Sequence, residues 1–210
     1  MESGETPSCK RPYELGKRLA QMGRTKATVL AVARAQLETG GVREFSMESL
    51  AKASGVTRQT IHNLFGTRTA VLESLFDQIA ADAGMERMRD VMTTSDPHLM
   101  LDRFIGIFSD FWMKNRMLLK RIHGIAAIDP EFGQSVQARN QRRLMAATRV
   151  MERLDNQSGG KKEGRTERVA SLVALTSFEF FDVLAESLGS VEAARELLPM
   201  LIRGAMAIEG

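Results

Sequence analysis

Thr57 opens the segment TRQTIHNLF, in which Ile61, Leu64 and Phe65 recur at the spacing of a helical turn and leave Arg58, Gln59, His62 and Asn63 between them. If Ile61 and Phe65 face a core, those four side chains share the other side of the helix, and all four form hydrogen bonds. Such a set has a defined chemistry in the major groove of double-stranded DNA. Arg pairs with guanine O6 and N7, and Gln or Asn pairs with adenine N6 and N7. Thr57 and the start of the helix behind it suit a phosphate, because the first N–H groups of a helix have no partner within it. An ordinary exposed helical hairpin presents the same polar face, so the neighbouring elements carry the decision.

Those elements follow from punctuation. Thr25 to Thr39 reads as a helix with Val29, Leu30, Val32, Ala33 and Leu37 on its apolar face, stopped by Gly40 and Gly41. Ser46 is the next cap, with Glu48 in the first turn and Met47, Leu50 and Ala51 as a short apolar face that ends at Gly55. Val56 and the cap Thr57 then lead into the polar-faced helix, which Gly66 terminates. Two short helices joined by a Gly-containing turn, here Ser46 to Phe65, have the sequence form of a helix-turn-helix. Thr67 caps a further helix carrying Val71, Leu72, Leu75, Phe76 and Ile79.

Charge has the matching asymmetry. Residues 1–70 hold eleven Lys and Arg against six Asp and Glu, whereas residues 71–210 hold eighteen against twenty, for a net charge of +3. A basic front suits a head that neutralises phosphates, although a solvated surface would carry the same charges. Residues 1–23, with Lys10, Arg11, Lys17 and Arg18 interrupted by Pro7, Pro12, Gly16 and Gly23, read as a flexible basic arm. The composition, 43% hydrophobic and 26% charged with few alternating β-branched runs, predicts a soluble all-α protein. No apolar run approaches the ~20 residues of a membrane span, there is no signal-type leader, and Cys9 has no second cysteine to pair with. These point to the cytoplasm and to no membrane partner. His62, His98 and His123 show no metal-ligand spacing, and no HExxH, GxSxG or GxxxxGK occurs, so neither an enzyme nor a cofactor is expected.

The segment FSMESLAKASGVTRQTIHNLFGTRTAVLESLF resembles the N-terminal signature of the tetracycline-repressor (TetR) family of regulators, and the resemblance covers about residues 24–84. Leu50-Ala51, Ser54-Gly55-Val56-Thr57, Thr60-Ile61-His62, Phe65 and Arg68-Thr69-Ala70-Val71 occupy the places of the family's pattern. It departs at His62, where the family usually has a phosphate-contacting Tyr, and at Arg68, where it usually has a Lys; both side chains still donate to phosphate. The resemblance implies an N-terminal three-helix DNA-binding domain, residues 24–70, and a helical effector-binding and dimerisation domain, residues 71–210. It implies a sequence-specific transcriptional regulator, a repressor released by a small apolar or amphipathic effector. DNA contacts would fall to Ser46, Thr57, Arg58, Gln59, Thr60, His62, Asn63, Thr67 and Arg68. A helical interaction or carrier protein that has lost DNA binding is the other reading.

The body is a succession of helices. Asp96-Pro97 starts one with Leu101, Phe104, Ile105, Phe108, Phe111 and Trp112 on a wide apolar face; a short apolar segment runs from Met117 to Ile128, and Asp129-Pro130 starts another helix reaching about Leu154. NQSGGKKEGR reads as a solvated loop. Thr166 to Leu188 and Ser190 to Ile208 are the last two helices, and the resemblance makes residues 166–208 the interface of a homodimer, with closure of the monomer's own core as the alternative. The resemblance also implies an effector pocket, for which Phe108, Trp112, His123, Met145 and Phe178 are candidates, though such residues equally serve as plain core. Glu179, between Phe178 and Phe180, suits either a cationic ligand or a pairing role.

Overall fold

In the computed structural model, which describes residues 11–40, 45–157, 159 and 163–206, the chain is all-α, with no strand among the described residues. It divides into two compact units at Leu75/Phe76, within one continuous helix.

The first unit holds α1 (Arg11–Thr39), α2 (Met47–Ser54), α3 (Arg58–Phe65) and the beginning of α4 (Arg68–Asp82). α1, α2 and α3 pack on one another, and Val29, Ala33 and Leu37 of α1, Leu50 of α2, Ile61 of α3 and Val71 and Leu72 of α4 are all withdrawn from water. The flexible arm expected over residues 1–23 is corrected from Arg11 onward, because α1 already begins there; residues 1–10 lie outside the described residues. Pro12 stands in the first turn, where a missing N–H costs nothing, and each of Gly16 and Gly23 costs a helix only about 1 kcal/mol against Ala. This early stretch gains little from burial: Leu19 and Met22 are largely exposed.

The second unit continues α4 and adds a 3-10 turn (Met85–Arg87), α5 (Met88–Thr93), α6 (Pro97–Ile128), α7 (Pro130–Gln157), α8 (Arg165–Leu175), α9 (Phe178–Leu188) and α10 (Val191–Ala205). Part of the expected loop NQSGGKKEGR, residues 158 and 160–162, lies outside the described residues, and Asn156 and Gln157 belong to α7. Asp96 caps α6, its Oδ1 accepting from the N–H groups of His98 and Leu99 at 2.8 and 3.3 Å, with Pro97 in the first turn. The segments expected before and after Met117 form one helix with a kink at Asn115, whose φ of −122° and ψ of 16° depart from helical values. The Asn115 amide donates to the Phe111 carbonyl at 3.1 Å, so a side chain enters the backbone ladder at the kink. α6 is the spine of this unit: α7 runs along it, and α5, α9 and α10 also pack on it. α6 and α7 meet at Asp129, and a Cβ on Gly133 would lie 2.7 Å from the Ala126 carbonyl oxygen, so the two helices approach backbone to backbone there.

The expected single helix from Thr166 to Leu188 is two helices, because the chain stops at Thr176 and restarts from Ser177. Ser177 Oγ accepts from the Phe180 N–H at 3.1 Å and caps α9, while the Thr176 hydroxyl donates back to the Leu172 carbonyl at 2.6 Å. Thr176 is fully buried, so its carbonyl needs a protein donor. Trp112 Nε1 of α6 supplies one at 3.0 Å, and Arg143 of α7 donates to the Val173 carbonyl at 2.7 Å and to Thr176 Oγ1 at 3.2 Å. The break is therefore held by two side chains from the neighbouring helices. Replacing Trp112 by Phe keeps most of the ring and removes this donor. We expect a loss of about 1–3 kcal/mol, read as a lower denaturant midpoint at unchanged slope.

Candidate nucleic-acid interface and ligand cavity

The polar face of α3 is built by its caps and by one buried anchor. Thr57 Oγ1 accepts from the Thr60 N–H at 3.0 Å and lies 2.9 Å from Thr60 Oγ1, so the helix starts at a fixed residue. Ile61 is wholly buried, whereas Arg58, Gln59, His62 and Asn63 are exposed and Thr60 is half-buried. Gln59 Nε2 donates to Asn63 Oδ1 at 2.9 Å, which orients two amides one turn apart on the exposed face. Gly66 ends the helix with its N–H on the His62 carbonyl at 2.7 Å and a φ of 79°, a backbone that disfavours any side chain.

The flanking elements hold α3 by polar clamps. Ser46 and Ser49 form a reciprocal capping box, each hydroxyl accepting from the other's N–H at 3.1 Å. Ser49 also reaches α1: its hydroxyl donates to Gln36 Oε1, and Gln36 Nε2 returns a bond to the Ser49 carbonyl, both at 3.2 Å. Thr67 Oγ1 accepts from the Ala70 N–H at 3.0 Å and caps α4. Arg68, expected at a phosphate, sends Nε to the Phe45 carbonyl at 3.1 Å and lays its guanidinium over the Phe45 ring, so it ties α4 to the residue before the Ser46 cap of α2. Gln36 and Ser49 were not expected. A Ser where the capping box usually has Glu or Gln is the signal that points to Ser49, and nothing in the local sequence points to Gln36.

The second unit encloses a cavity of about 310 Å³. Phe108, Phe111 and Trp112 of α6 give it an aromatic wall, Phe76, Met85 and Met88 close one side, and Arg139, Arg142 and Arg143 of α7 line the other. Of the five expected pocket residues, Phe108, Trp112 and His123 line it. Phe178 stands behind them, its ring centroid 5.7 Å from Trp112 and 4.8 Å from His123. Met145 is corrected: it is 64% exposed, because Phe132, Val136, Arg143, Ala147 and Val150 set the buried phase of α7 and leave residue 145 outside it. The three arginines went unexpected, yet Arg143 carries a sequence signal. It is a charge in register with a buried apolar stripe, a placement seldom seen without a purpose.

Charges around the cavity are paired unequally. Arg139 Nη2 meets Asp77 Oδ1 at 2.6 Å while its guanidinium covers the Phe76 ring. His123 Nδ1 lies 2.8 Å from Glu179 Oε1, which gives Glu179 the pairing role, and this hydrogen bond holds the Glu179 carboxyl down to about 2 from an ordinary 4.5. Arg143 is 7% exposed, its Nε has no hydrogen-bond partner, and burial pushes its pKa down. No group of His, Cys, Asp and Glu among the described residues could hold a metal, and no helix among them is long and apolar enough to cross a membrane.

Comparison with known proteins adds to this geometry. Residues 29–75 match the family described as bacterial regulatory proteins, tetR family. Over 85 residues the chain is 38% identical to the HTH-type transcriptional regulator EthR of Mycolicibacterium smegmatis, a match that covers 40% of this chain and 39% of the regulator. The chain thus spans about two fifths of the length of the curated relative it matches. Among solved structures, a TetR transcription regulator from Haloarcula marismortui superposes with a TM-score of 0.68 at 15% identity, covering 87% of this chain and 98% of that one. A transcriptional regulator from Saccharomonospora viridis in complex with choline superposes with a TM-score of 0.65 at 16% identity, covering 86% and 96%. At these identities the likeness is one of fold, and it extends over both units.

Two outcomes follow from the site. Ser49→Ala removes half of the capping box and the link to Gln36, and is expected to cost about 1–2 kcal/mol of stability in chemical unfolding. Glu179 binds its proton less readily when folded, so its contribution to stability is complete above about pH 4.5 and is lost as pH falls towards about 2. Its side chain is 67% exposed, so water screens the effect and it is small. Unfolding midpoints measured across that window should fall more steeply for the unaltered protein than for Glu179→Gln.

Proposed function

We propose that this chain, whose residues 29–75 match the tetR family of bacterial regulatory proteins, is a sequence-specific DNA-binding transcriptional regulator. The observation that carries the reading is the capped helix α3, with Ile61 buried and Arg58, Gln59, His62 and Asn63 exposed, inside the stretch that matches the family. Arg58, Gln59 and Asn63 read base edges in the major groove. Ser46, Thr57, Thr60, Thr67 and Arg68, at the helix starts and the turn after α3, and His62 on the exposed face of α3 meet the phosphate backbone.

The working unit in this reading is a homodimer through the last helices, residues 166–208, on an inverted repeat whose half-sites lie about one DNA turn, roughly 34–36 Å, apart. The exposure of Val183 on α9 and Met200 on α10, each 65%, supports this face. The protein represses transcription until a small molecule enters the cavity of the second unit. Support for that step comes from the aromatic lining and from the S. viridis neighbour, which holds choline on the same fold. The last turns of α4 line the cavity with Phe76, Asp77 and Ala80, and the same helix begins at Arg68 beside α3. A ligand that shifts α4 changes the spacing of the two recognition helices. As a regulator it works in the cytoplasm, on the nucleoid when bound.

Selection of bound sequences from a random DNA pool with the full-length protein, then titration of the winner at two salt concentrations, tests this. An enriched inverted repeat whose affinity falls steeply with salt is expected, and failure to enrich any sequence would overturn it. On the selected operator, Arg58→Ala and Gln59→Ala should each cost about 1–3 kcal/mol at one base position, whereas Arg68→Ala should weaken all sequences alike. Uniform losses from all three would remove α3 as the reader.

A further inference from the structure

Among the described residues of the second unit, charges removed from water other than that of Arg143 are met by opposite charge. Asp155 is 5% exposed and takes both Arg165 and Arg168. Arg116 takes Asp182 and Glu186. Arg143 is as deeply buried as Asp155, yet it enters none of the ion pairs among the described residues. Its contacts are neutral: Nη1 on the Val173 carbonyl and Thr176 Oγ1, and Nη2 on Asn140 Oδ1 at 3.4 Å. The carboxylate whose field reaches it, Glu179, is already bound to His123. Placing a guanidinium in such surroundings is costly unless an anion joins it at hydrogen-bond distance, and none of the described residues does so.

We propose that the cavity takes an anionic amphiphile, a monocarboxylate with an aromatic or aliphatic body, and that Arg143 receives its head group. The inference rests on the reading of the cavity as an effector site and names the chemistry of the ligand. Nε and Nη2 form one edge of the guanidinium. Nε is unanswered and Nη2 holds only a long contact, so a small turn of the group offers both to a carboxylate as a fork. Phe108, whose ring centroid lies 5.9 Å from the guanidinium carbon, begins the aromatic wall that continues through Trp112 and Phe111. A head group on Arg143 therefore lays its body along that wall, towards Met85 and Met88. Arg139 contributes no excess charge because Asp77 balances it, and Arg142 is exposed at the margin. One deeply buried positive charge with no anion in direct contact selects a single negative charge and rejects a cation.

Calorimetric titration of the full-length protein without DNA tests this with phenylbutyrate, its neutral isostere phenylbutyramide and a phenylalkyl trimethylammonium. The carboxylate should bind at least about tenfold tighter than the amide, and the cation should not bind. Arg143→Gln should abolish the preference for the carboxylate, and Arg149→Gln, on the exposed face of α7 and away from the lining, should leave it. Because Arg143 also holds the α8–α9 break, its variant can fail to fold, but the comparison of the three probes on the unaltered protein decides without it. Equal or tighter binding of the amide or the cation, or no binding of phenylbutyrate at millimolar concentration, would overturn the proposal. Operator affinity measured separately with phenylbutyrate distinguishes the two readings: a carboxylate that binds and leaves DNA affinity unchanged refutes the regulatory role of the site and not its chemistry.

Discussion

Thr176 is buried at the point where one helix stops and the next has not begun, so the carbonyls around it cannot turn to water. Trp112 and Arg143 answer them, and the arrangement of the second unit follows from that requirement. Trp112 must sit on the face of α6 towards α8 and α9, which places Phe108 and Phe111 beside it and aligns the aromatic side chains from Phe104 to Phe178. Arg143 must sit on the inward face of α7, which brings a positive charge among them. The same two side chains that close the backbone break also line the cavity. Structural support and ligand chemistry thus share residues, and a bound molecule that moves Arg143 also bears on the junction of α8 and α9.

The first unit solves a different problem, because helices of eight residues have little stability of their own. They are fixed at both ends instead: Ser46 with Ser49 and then Gly55 around α2, Thr57 and then Gly66 around α3. Ile61 and Leu50 supply the burial. With the ends set and one apolar anchor each, the angular position of every side chain on α3 is determined, and the polar residues are left facing outwards without any contact among the helices having to orient them individually.

What was legible in the sequence was whatever depends on neighbours along the chain. The caps at Ser46, Thr57, Thr67, Asp96 and Ser190 and the outward face of α3 are local, and each stands where its residue type and spacing put it. What was not legible depends on distant partners. The stretch SLVALTSFEFF is rich in apolar residues on both sides of Thr176 and Ser177, and its break is supported by donors from positions 112 and 143. Ser177 is a cap-type residue, and only the break itself shows that it caps α9. Met145 was singled out by side-chain type, whereas the phase of α7 decides its exposure. Arg143 has no local signal of its own, and only its register with the buried Val136 and Val150 marks it as inward. At the N-terminal end, glycine and proline were read as breakers where α1 tolerates them.

The close approach at Gly133 bears on how such a cavity changes over time. The turn between α6 and α7 is set by main chain against main chain, with no room for even a methyl group. The frame that carries the lining is thus independent of what the lining is. Substitutions at Phe111, Val136 or Ala146 alter what the chamber admits while its two principal walls keep their junction. Residue 133 itself is closed to variation, since any larger side chain would wedge the hairpin apart. Descendants of this sequence are free to acquire new chemical tastes by altering the upholstery, and the hinge of the hairpin is the part they must inherit unaltered.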